Sequence, residues 1–356
     1  MTLLETISLG LIFLILFHHI IYPGAMAALS FLPYRKKDSE ALIEERFLSV
    51  HVVIPACNEE KHIYQKLKSI AVALPIEGQL VVTVLDDGSQ DNTASEVMRA
   101  KLDFADCDIH LIKGTRNLGK VKRINQLLPK ITETVTVLTD SSAILKKEAL
   151  ITAVDHFKNK KIGVVSGGYT LSIAAPFAQR LYWKIQALVK LGENRLGTLI
   201  GAHGAFYAIR TSLYRPLPED TINDDFIIPM QIALKGWRVI YDPSMQTIEA
   251  QVDTLQQDFS RRHRIGAGNI QQVLILWPLV ASRIFSSASL CLIAGKFLRL
   301  LIGPSLITLA VILPIVTLMS DFRAGFIGLF VGAIILTITA VRSSNRLISA
   351  LTQTFG

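Results

Sequence analysis

The sequence predicts an α/β fold: a mostly parallel sheet with covering helices, flanked by transmembrane helices. Three observations support this class. Short apolar runs alternate with helical patterns between about residues 48 and 270, strongly apolar segments lie near both ends, and acidic residues follow several of the runs. Alternating strands and helices build parallel sheets, and such sheets bind ligands outside the carboxyl ends of their strands.

The composition indicates a chain that combines apolar membrane segments with a more polar domain. Half of the 356 residues are hydrophobic and the mean hydropathy is +0.40, which is too apolar for an ordinary soluble enzyme. The net charge is +8, but the basic residues cluster beside apolar segments, as in Arg35–Lys37 and Arg261–Arg264. This pattern favours membrane lipids on the cytoplasmic side as partners, and no nucleic acid. Three widely spaced cysteines predict neither a disulfide framework nor a zinc site, and so favour a reducing compartment.

The first apolar segment, Ile7–Leu32, is long enough to cross about 30 Å of hydrocarbon. A cleaved signal peptide is the alternative, but Met1–Ser8 lacks the basic residues of such a peptide. Because the basic cluster follows the segment, we expect the N-terminus outside and Arg35 inside.

Two further apolar segments, Leu300–Met319 and Ala324–Val341, predict a transmembrane hairpin. Before them, Phe285–Arg299 is interrupted by Lys296, which favours an interfacial helix whose cations reach the membrane surface. A fourth span is the alternative for this stretch, and it would invert the hairpin. The predicted organisation is a span and basic linker (1–47), a cytosolic domain (48–270), interfacial helices (271–299), and a hairpin with a short tail (300–356).

Within the cytosolic domain, six apolar runs predict strands. They are Val50–Ile54, Leu80–Leu85, Ile109–Ile112, Val135–Thr139, Ile162–Ser166 and Ala205–Ile209. Apolar residues from Ile63 to Leu74 mark one face of a helix that ends before Pro75. Pro176–Asn194 predicts an amphipathic helix whose apolar face either packs on the core or lies in the membrane interface.

Adjacent aspartates at the end of a predicted strand are the strongest site signal. Asp86 and Asp87 precede Gly88, and turn chemistry explains such a pair poorly because the two carboxylates repel each other. We expect them to bind a donor substrate by accepting from a base N–H or a ribose hydroxyl. Asp140 follows another strand, where it could hold Mg²⁺ or Mn²⁺ against a diphosphate or, alternatively, cap a helix.

Asp224 and Asp225 open a predicted helix over Phe226–Leu234. Acidic residues in a first helical turn are favoured by the helix dipole, so a structural role is one interpretation. The other is that Asp225 is a general base, with a pKa raised by burial or by its neighbour Asp224.

Basic residues near glycines are the remaining candidates. Arg261–Arg264 precede Ile265–Gly268, which we interpret as a flexible loop, and Arg264 could bind phosphate; a membrane-surface patch is the alternative. Gly114–Lys120 is a basic, glycine-bearing loop without the spacing of a P-loop. Gly201–Gly204 would let the backbone approach a ligand closely.

In order along the chain, these motifs resemble the family-two inverting glycosyltransferases of the GT-A fold, especially their membrane-bound branch of polysaccharide synthases and ceramide glucosyltransferases. The resemblance covers about residues 48–270. The stretches that carry it are Val53–Glu60, Asp86–Thr93, Arg116–Lys120, Asp140–Ser142, Gly201–Gly204 and Asn223–Asp225.

The resemblance implies roles for individual residues. Asp225 would be the base that deprotonates the acceptor hydroxyl, beside Asp224, and Arg264 would steady the departing diphosphate. Asp140 would lie by the diphosphate and would be the ligand of Mg²⁺ or Mn²⁺. Glu59 and Asp87 would contact the nucleoside of the donor. The donor-binding set is completed by Pro55, Asp86, Arg116 and Lys120.

Two departures from the family's motifs bear on mechanism. Ser142 replaces the last residue of the family's Asp-x-Asp metal motif, and Ile265 replaces the tryptophan that would stack on an acceptor sugar. The second change, with the small number of spans, favours a single transfer over processive synthesis.

The sequence therefore predicts an integral membrane glycosyltransferase of a bacterial-type inner or plasma membrane, with a cytoplasmic catalytic domain. It would transfer a sugar from a nucleotide-sugar, most often UDP-linked, to a lipid-linked or glycan acceptor with inversion. A processive polysaccharide synthase is the first alternative. A non-catalytic nucleotide-sugar-binding subunit of a membrane assembly is the second, and the presence of both Asp225 and Arg264 argues against it.

Overall fold

The computed structural model describes residues 2–32, 48–73, 79–170, 177–249 and 255–319. Within these ranges the chain forms an eight-stranded sheet, and all six predicted strands are present. The strands are β1 (Val50–Ala56), β2 (Leu80–Asp86), β3 (Asp108–Lys113), β4 (Val135–Leu138), β5 (Ala143–Leu145), β6 (Ile162–Thr170), β7 (Tyr207–Arg210) and β8 (Arg238–Glu249).

Helices alternate with these strands and continue at both ends. They are α1 (Leu3–Leu16), α2 (Tyr22–Ser30), α3 (Ile63–Ala71), α4 (Thr93–Asp103), α5 (Lys120–Leu127), α6 (Ala149–His156), α7 (Phe177–Arg195), α8 (Asp224–Leu234), α9 (Leu255–Ser282), α10 (Ser287–Leu292) and α11 (Arg299–Met319). Two π-helical segments, Phe17–Ile21 and Ile293–Phe297, follow α1 and α10.

The strand order is β3-β2-β1-β4-β7-β6-β8-β5. Strands β1 to β4 pair in parallel, as do β6 and β8, whereas β7 runs antiparallel to β4 and β6, and β5 runs antiparallel to β8. The parallel half places the carboxyl ends of β1, β2 and β4 at one edge. The acidic residues that follow β2 and β4 therefore emerge at the same edge.

Two strands, β5 and β8, had no clear sequence signal. Strand β5 has only three residues, and β8 contains Pro243, which disfavours an interior strand. The structure accommodates this proline in a bulge, where the pairing of β6 with β8 passes from Gly167–Asp242 to Gly168–Gln246. A Cβ atom at Gly168 would lie 3.0 Å from the Pro243 carbonyl oxygen, so glycine permits this close approach.

Apolar cores lie on both faces of the sheet because neighbouring residues of a strand point to opposite sides. Val52 and Ile54 of β1 belong to one core, together with residues of α3, α4 and α6, while Val53 belongs to the other, with residues of α5, α8 and α9. Every residue of β2 is buried, which is typical of a parallel strand covered on both faces.

Helix α7 has the predicted amphipathic character, and its two halves have different surroundings. Leu181 and Ile185 are 44% and 43% exposed, whereas the C-terminal half packs closely against α2. There, a Cβ atom at Gly192 would overlap the Met26 carbonyl group, and the Glu193 carboxylate accepts a hydrogen bond of 2.9 Å from the Tyr22 hydroxyl. The apolar face is thus partly packed and partly exposed.

Residues 22–297 form one compact unit, and the described residues of 1–21 and 298–319 form a second. In the second unit, α1 packs against α11 through an apolar cluster that includes Leu309, Leu313 and Val316. Among the described residues, three helices are long and apolar enough to cross a membrane: Leu3–Ser30, Arg264–Ser282 and Ser287–Thr317. They indicate membrane association. The predicted span over 324–341 lies outside the described residues.

Candidate active site

Hydrogen bonds join the turn after β2 to the loop after β3. The Asp87 carboxylate accepts hydrogen bonds from the backbone N–H groups of Leu118 and Gly119, at 2.8 and 2.7 Å. It also accepts one from the guanidinium of Arg123, at 2.7 Å. A Cβ atom at Gly88 would lie 2.6 Å from the Arg116 carbonyl carbon, so glycine permits the contact. Asp87 therefore orders the loop that contains the predicted donor residue Arg116, whose side chain is exposed.

Asp86 has a different environment from its neighbour. Its side chain is fully buried, and one carboxylate oxygen accepts a hydrogen bond of 2.9 Å from the Ser89 N–H. Its other oxygen is buried without a hydrogen-bond partner among the described residues. Because buried carboxylate oxygens are normally hydrogen-bonded, this oxygen of Asp86 can accept a hydrogen bond from a ligand.

The loop after β1 lies beside this turn. Asn58 adopts the left-handed conformation, with φ of 58°, and its backbone N–H donates to the Ser89 hydroxyl at 2.9 Å. The Glu59 carboxylate lies 3.0 Å from His62 Nδ1. Pro55 is aligned with Leu85 of β2. The structure thus brings the predicted donor residues of three motifs to one edge of the sheet.

Three aspartates and a lysine form the next group. Lys120 begins α5, and its ammonium lies 3.2 Å from a carboxylate oxygen of Asp140 and 3.2 Å from one of Asp224. The Asp224 side chain is only 7% exposed, whereas that of Asp140 is 46% exposed. Asp224 is therefore held in a half-buried ion pair, while Asp140 remains accessible to solvent.

Asp225 lies against the Gly201–Gly204 segment. Its carbonyl oxygen accepts a hydrogen bond of 3.1 Å from the Ala202 N–H. A Cβ atom at Gly204 would lie 3.1 Å from one carboxylate oxygen of Asp225 and 3.1 Å from one of Asp140. Gly204 thus leaves open the space that both carboxylates face.

Electrostatics give these groups different protonation behaviour. Burial, reinforced by the negative charge of Asp224, raises the pKa of Asp225 to about 6, although Lys120 opposes the effect. Burial by itself lowers the pKa of Lys120, but the carboxylates of Asp140, Asp224 and Asp225 outweigh it and raise that pKa above its ordinary value. At neutral pH, Lys120 is a cation and Asp225 is a carboxylate with the strength of a useful base.

The predicted flexible loop over Ile265–Gly268 is wrong, because these residues lie inside the continuous helix α9. A Cβ atom at Gly268 would lie 2.3 Å from the Asn223 side-chain amide, so this glycine lets α9 pack against the segment before α8. The Arg264 side chain is exposed on α9 and makes no hydrogen bond or ion pair with the described residues. Contact of Arg264 with a diphosphate stays a prediction.

A metal site at Asp140 is compatible with the structure if the donor diphosphate supplies the remaining ligands. The described residues contain no cluster of three His, Cys, Asp or Glu side chains able to hold a metal ion. Mg²⁺, however, is bound in many enzymes by one or two carboxylates together with substrate phosphates. The accessible Asp140 carboxylate fits that arrangement, in which a donor diphosphate would supply further oxygen ligands.

Sequence reasoning missed several residues around this group. Lys66 of α3 is fully buried beneath Asp140, where its ammonium donates to the Thr139 hydroxyl at 2.6 Å. Tyr207 of β7 is also fully buried, and its hydroxyl has no hydrogen-bond partner among the described residues. Lys296 lies 4.9 Å above the Phe226 ring, and its charge acts on Asp225.

Comparison with known proteins identifies the family to which the chain belongs. Residues 48–268 match the sequence profile of the family described as glycosyltransferase like family 2. The chain belongs to this family.

Two curated relatives illustrate the range of the family. A poly-β-1,6-N-acetyl-D-glucosamine synthase of Staphylococcus aureus is 24% identical over 229 residues, covering 62% of this chain and 54% of that protein. A β-monoglucosyldiacylglycerol synthase of Nostoc is 22% identical over 244 residues, covering 65% and 51%. The chain thus spans about half the length of each of these relatives.

Among solved structures, a mannosyltransferase of Pyrobaculum calidifontis in complex with GDP-Man and Mn²⁺ superimposes with a TM-score of 0.72. The sequences are 23% identical, and the alignment covers 94% of this chain and 92% of the other. This similarity confirms the predicted GT-A fold.

Proposed function

We propose that the protein is a membrane-bound inverting glycosyltransferase that transfers a sugar from a nucleotide-sugar to a lipid-linked or glycan acceptor at the cytoplasmic face. The observation that carries the proposal is the meeting of Asp140, Asp225 and Lys120 around the space left open by Gly204. One face of this space offers a base, and the other offers an accessible carboxylate beside a cation.

Asp225 is the proposed general base. A carboxylate with a pKa of about 6 is ionised at neutral pH yet basic enough to accept a proton from a hydroxyl as the bond to the sugar forms. Asp224 is less suited to this role because Lys120 holds it in an ion pair. A single base that activates the acceptor for direct displacement at the anomeric carbon gives inversion of configuration.

Lys120 is the proposed cation on the leaving-group side. Its ammonium would stabilise the negative charge that develops on the departing nucleoside diphosphate, a contribution that is often the largest in such reactions. When bound at Asp140, Mg²⁺ or Mn²⁺ would supply further charge neutralisation of the diphosphate. Arg264 is retained as a proposed contact of the same group.

For the donor, the proposed contacts lie along the edge formed by the ends of β1 and β2. The Asp86 oxygen that is buried without a hydrogen-bond partner among the described residues is the proposed acceptor for the nucleoside. Pro55 belongs to β1, and Glu59 to the loop that follows this strand. The Asp87 carboxylate already accepts three hydrogen bonds, so we propose that it acts by ordering the loop that contains Arg116. UDP is the nucleotide that the sequence resemblance favours; the mannosyltransferase bound to GDP-Man makes GDP the alternative to test.

A lipid-linked acceptor fits the setting of this site. Lys296, beside Asp225, belongs to the candidate membrane helix Ser287–Thr317, so the base lies near a segment that would enter the bilayer. The positive-inside distribution supports a cytoplasmic catalytic domain. Processive polymer synthesis is a second candidate, favoured by the poly-N-acetylglucosamine synthase relatives.

The proposal is tested by nucleotide release from full-length protein in native-lipid nanodiscs. Panels of UDP- and GDP-sugars are supplied with Mg²⁺ or Mn²⁺ and with lipid extract. We compare the unaltered enzyme with Asp225→Asn and with Asp106→Asn, which removes an exposed aspartate elsewhere on the domain.

We expect release with one donor, its loss in Asp225→Asn, and no change in Asp106→Asn. Full activity of Asp225→Asn would overturn the role of this residue. Donor binding without turnover on any acceptor would contradict the proposed transfer. Product mass separates one added sugar from a polymer.

A further inference from the structure

A buried lysine lies directly beneath the turn that contains Asp140. Lys66 is on the core-facing side of α3, between Ile63 and Ile70, and its side chain has no solvent exposure. Both of these neighbours on the helix are fully buried apolar residues. A cation in such a place is unfavourable unless hydrogen-bond acceptors compensate for its lost hydration.

Those acceptors belong to the two ends of the Asp140 turn. The Lys66 ammonium donates to the Thr139 hydroxyl, just before Asp140, at 2.6 Å, and to the carbonyl oxygen of Ala143, just after the turn. The turn is closed by a 3.3 Å hydrogen bond from the Ala143 N–H to the Asp140 carbonyl. Lys66 therefore links the first and last residues of the 139–143 turn.

The same network reaches the opposite wall of the site. The Thr139 hydroxyl that accepts from Lys66 donates to the Ala205 carbonyl oxygen at 2.5 Å. Ala205 follows Gly204, which faces the carboxylates of both Asp140 and Asp225. One buried lysine thus lies at the base of two segments that line the proposed reaction space. Burial lowers the pKa of Lys66 to about 7, and either protonation state can donate both hydrogen bonds.

A second contact from α3 strengthens the link. The Ser69 hydroxyl, one turn after Lys66, accepts a hydrogen bond of 3.3 Å from the Leu145 N–H in β5. The Asp140 turn and the strand that follows it are therefore both attached to α3. The Asp140 turn also carries Ser142, so Asp140 is its only carboxylate. Binding of a metal ion at this turn therefore depends on the direction of that one side chain.

We propose that Lys66 is a positioning residue of the donor site: its ammonium fixes the 139–143 turn from beneath and so directs the Asp140 carboxylate toward a nucleoside diphosphate and its divalent metal ion. Its role at the donor rests on the proposed function. Lys66 touches neither the sugar nor the acceptor, and acts only through the turn and the 204–205 segment.

The first test needs no ligand. Lys66→Met keeps most of the side-chain length and removes the ammonium, while Lys68→Met alters an exposed lysine of the same helix. Hydrogen exchange of the full-length protein in nanodiscs is measured at the Ala143 and Leu145 amides. We expect at least tenfold faster exchange in Lys66→Met and no change in Lys68→Met; unchanged exchange in both would overturn the proposal.

The second test separates positioning from a merely structural role. Mn²⁺ binding is followed by its paramagnetic resonance signal in the presence of UDP and, separately, GDP. We expect Lys66→Met to bind Mn²⁺ with nucleotide at least fivefold more weakly and to lose at least tenfold in kcat/KM. Faster amide exchange with unchanged Mn²⁺ affinity and unchanged kcat/KM would show a structural role only and would overturn the positioning role.

A second pair of variants covers the case in which Lys66→Met does not fold. Thr139→Ser keeps the hydroxyl and is expected to stay within threefold of the unaltered enzyme. Thr139→Val removes it and should reproduce the loss of Mn²⁺ affinity; if folded Thr139→Val binds normally, the proposal fails. If the unaltered enzyme binds neither nucleotide with Mn²⁺, the proposed donor is wrong, while amide exchange in the Thr139 pair still decides whether the network holds the turn.

Discussion

The Lys120 ammonium lies 3.2 Å from the Asp224 carboxylate, and this ion pair distinguishes two adjacent aspartates. The carboxylate of Asp224 is buried against the partly exposed Lys120, whereas Asp225 forms no ion pair with the described residues and faces the space beside Gly204. Two carboxylates in one helical turn thereby acquire different chemistry, and Asp225 is the one suited to accept a proton.

Replacing Asp225 by Asn should remove the base while keeping the shape of the side chain. We expect kcat to fall by about 10²–10⁴, the usual contribution of a general base. The Kd of the nucleotide should change less than threefold, because the proposed role of Asp225 is toward the acceptor. Single-turnover sugar transfer and nucleotide titration measure the two quantities. An equal loss in binding and turnover would instead indicate that Asp225 holds the donor.

The pH dependence should report the raised pKa of Asp225. The base works only when deprotonated, so kcat/KM should be constant above pH of about 6 and should fall about tenfold per unit below it. Lys120→Met removes a positive charge that favours the ionised form, so the acidic limb should move to higher pH. Lys122→Met alters the neighbouring ion pair with Glu219 and should leave the limb in place. An unchanged limb in Lys120→Met would contradict this electrostatic account.

The sequence predicted the edge of the sheet at which Asp86 and Asp140 meet, because carboxyl ends of parallel strands share an edge. It could not predict the Lys120–Asp224 ion pair, since the two residues are 104 positions apart in the sequence and their contact depends on how α8 packs. Lys66 did have a signal: it stands on the same helical face as Ile63, Leu67 and Ile70, where a lysine is unexpected.

Glycine explains the main error of the sequence interpretation. Gly266 and Gly268 suggested a loop because glycine disfavours helix interiors. In α9, the missing side chain at Gly268 is what lets Asn223 approach the helix. Packing between helices outweighed local preference, and such packing between distant segments is invisible in a single sequence.

Arg123→Met should loosen the loop held by Asp87. Their ion pair is 2.7 Å long and largely buried, with the side chains 12% and 7% exposed. Removing one partner leaves the Asp87 charge less compensated, so we expect a loss of about 2 kcal/mol in the free energy of unfolding. The donor KM should rise more than kcat falls, because the loop contains Arg116.

Denaturant unfolding and donor kinetics measure these effects. Arg99→Met provides a control, since the Arg99 side chain is 55% exposed and its ion pair with Glu96 should contribute little. The variant also removes the guanidinium that lies 4.0 Å over the Tyr64 ring. A donor KM for Arg123→Met equal to that of the control would show that the loop does not contribute to donor binding.

Gly204→Ala tests whether the space between Asp140 and Asp225 must stay open. The added methyl would lie 3.1 Å from an oxygen of each carboxylate, closer than a comfortable contact, so the carboxylates must shift or the space must close. We expect at least a tenfold loss of kcat with a melting temperature changed by only a few degrees, because the protein core is untouched. Gly266→Ala is the matched control: outside its own helix, no described residue has an atom within 4 Å of the added methyl, and alanine favours the helix by about 1 kcal/mol. Transfer assays and thermal unfolding on both variants decide the matter, and full activity of Gly204→Ala would mean that the reaction takes place elsewhere in the cleft.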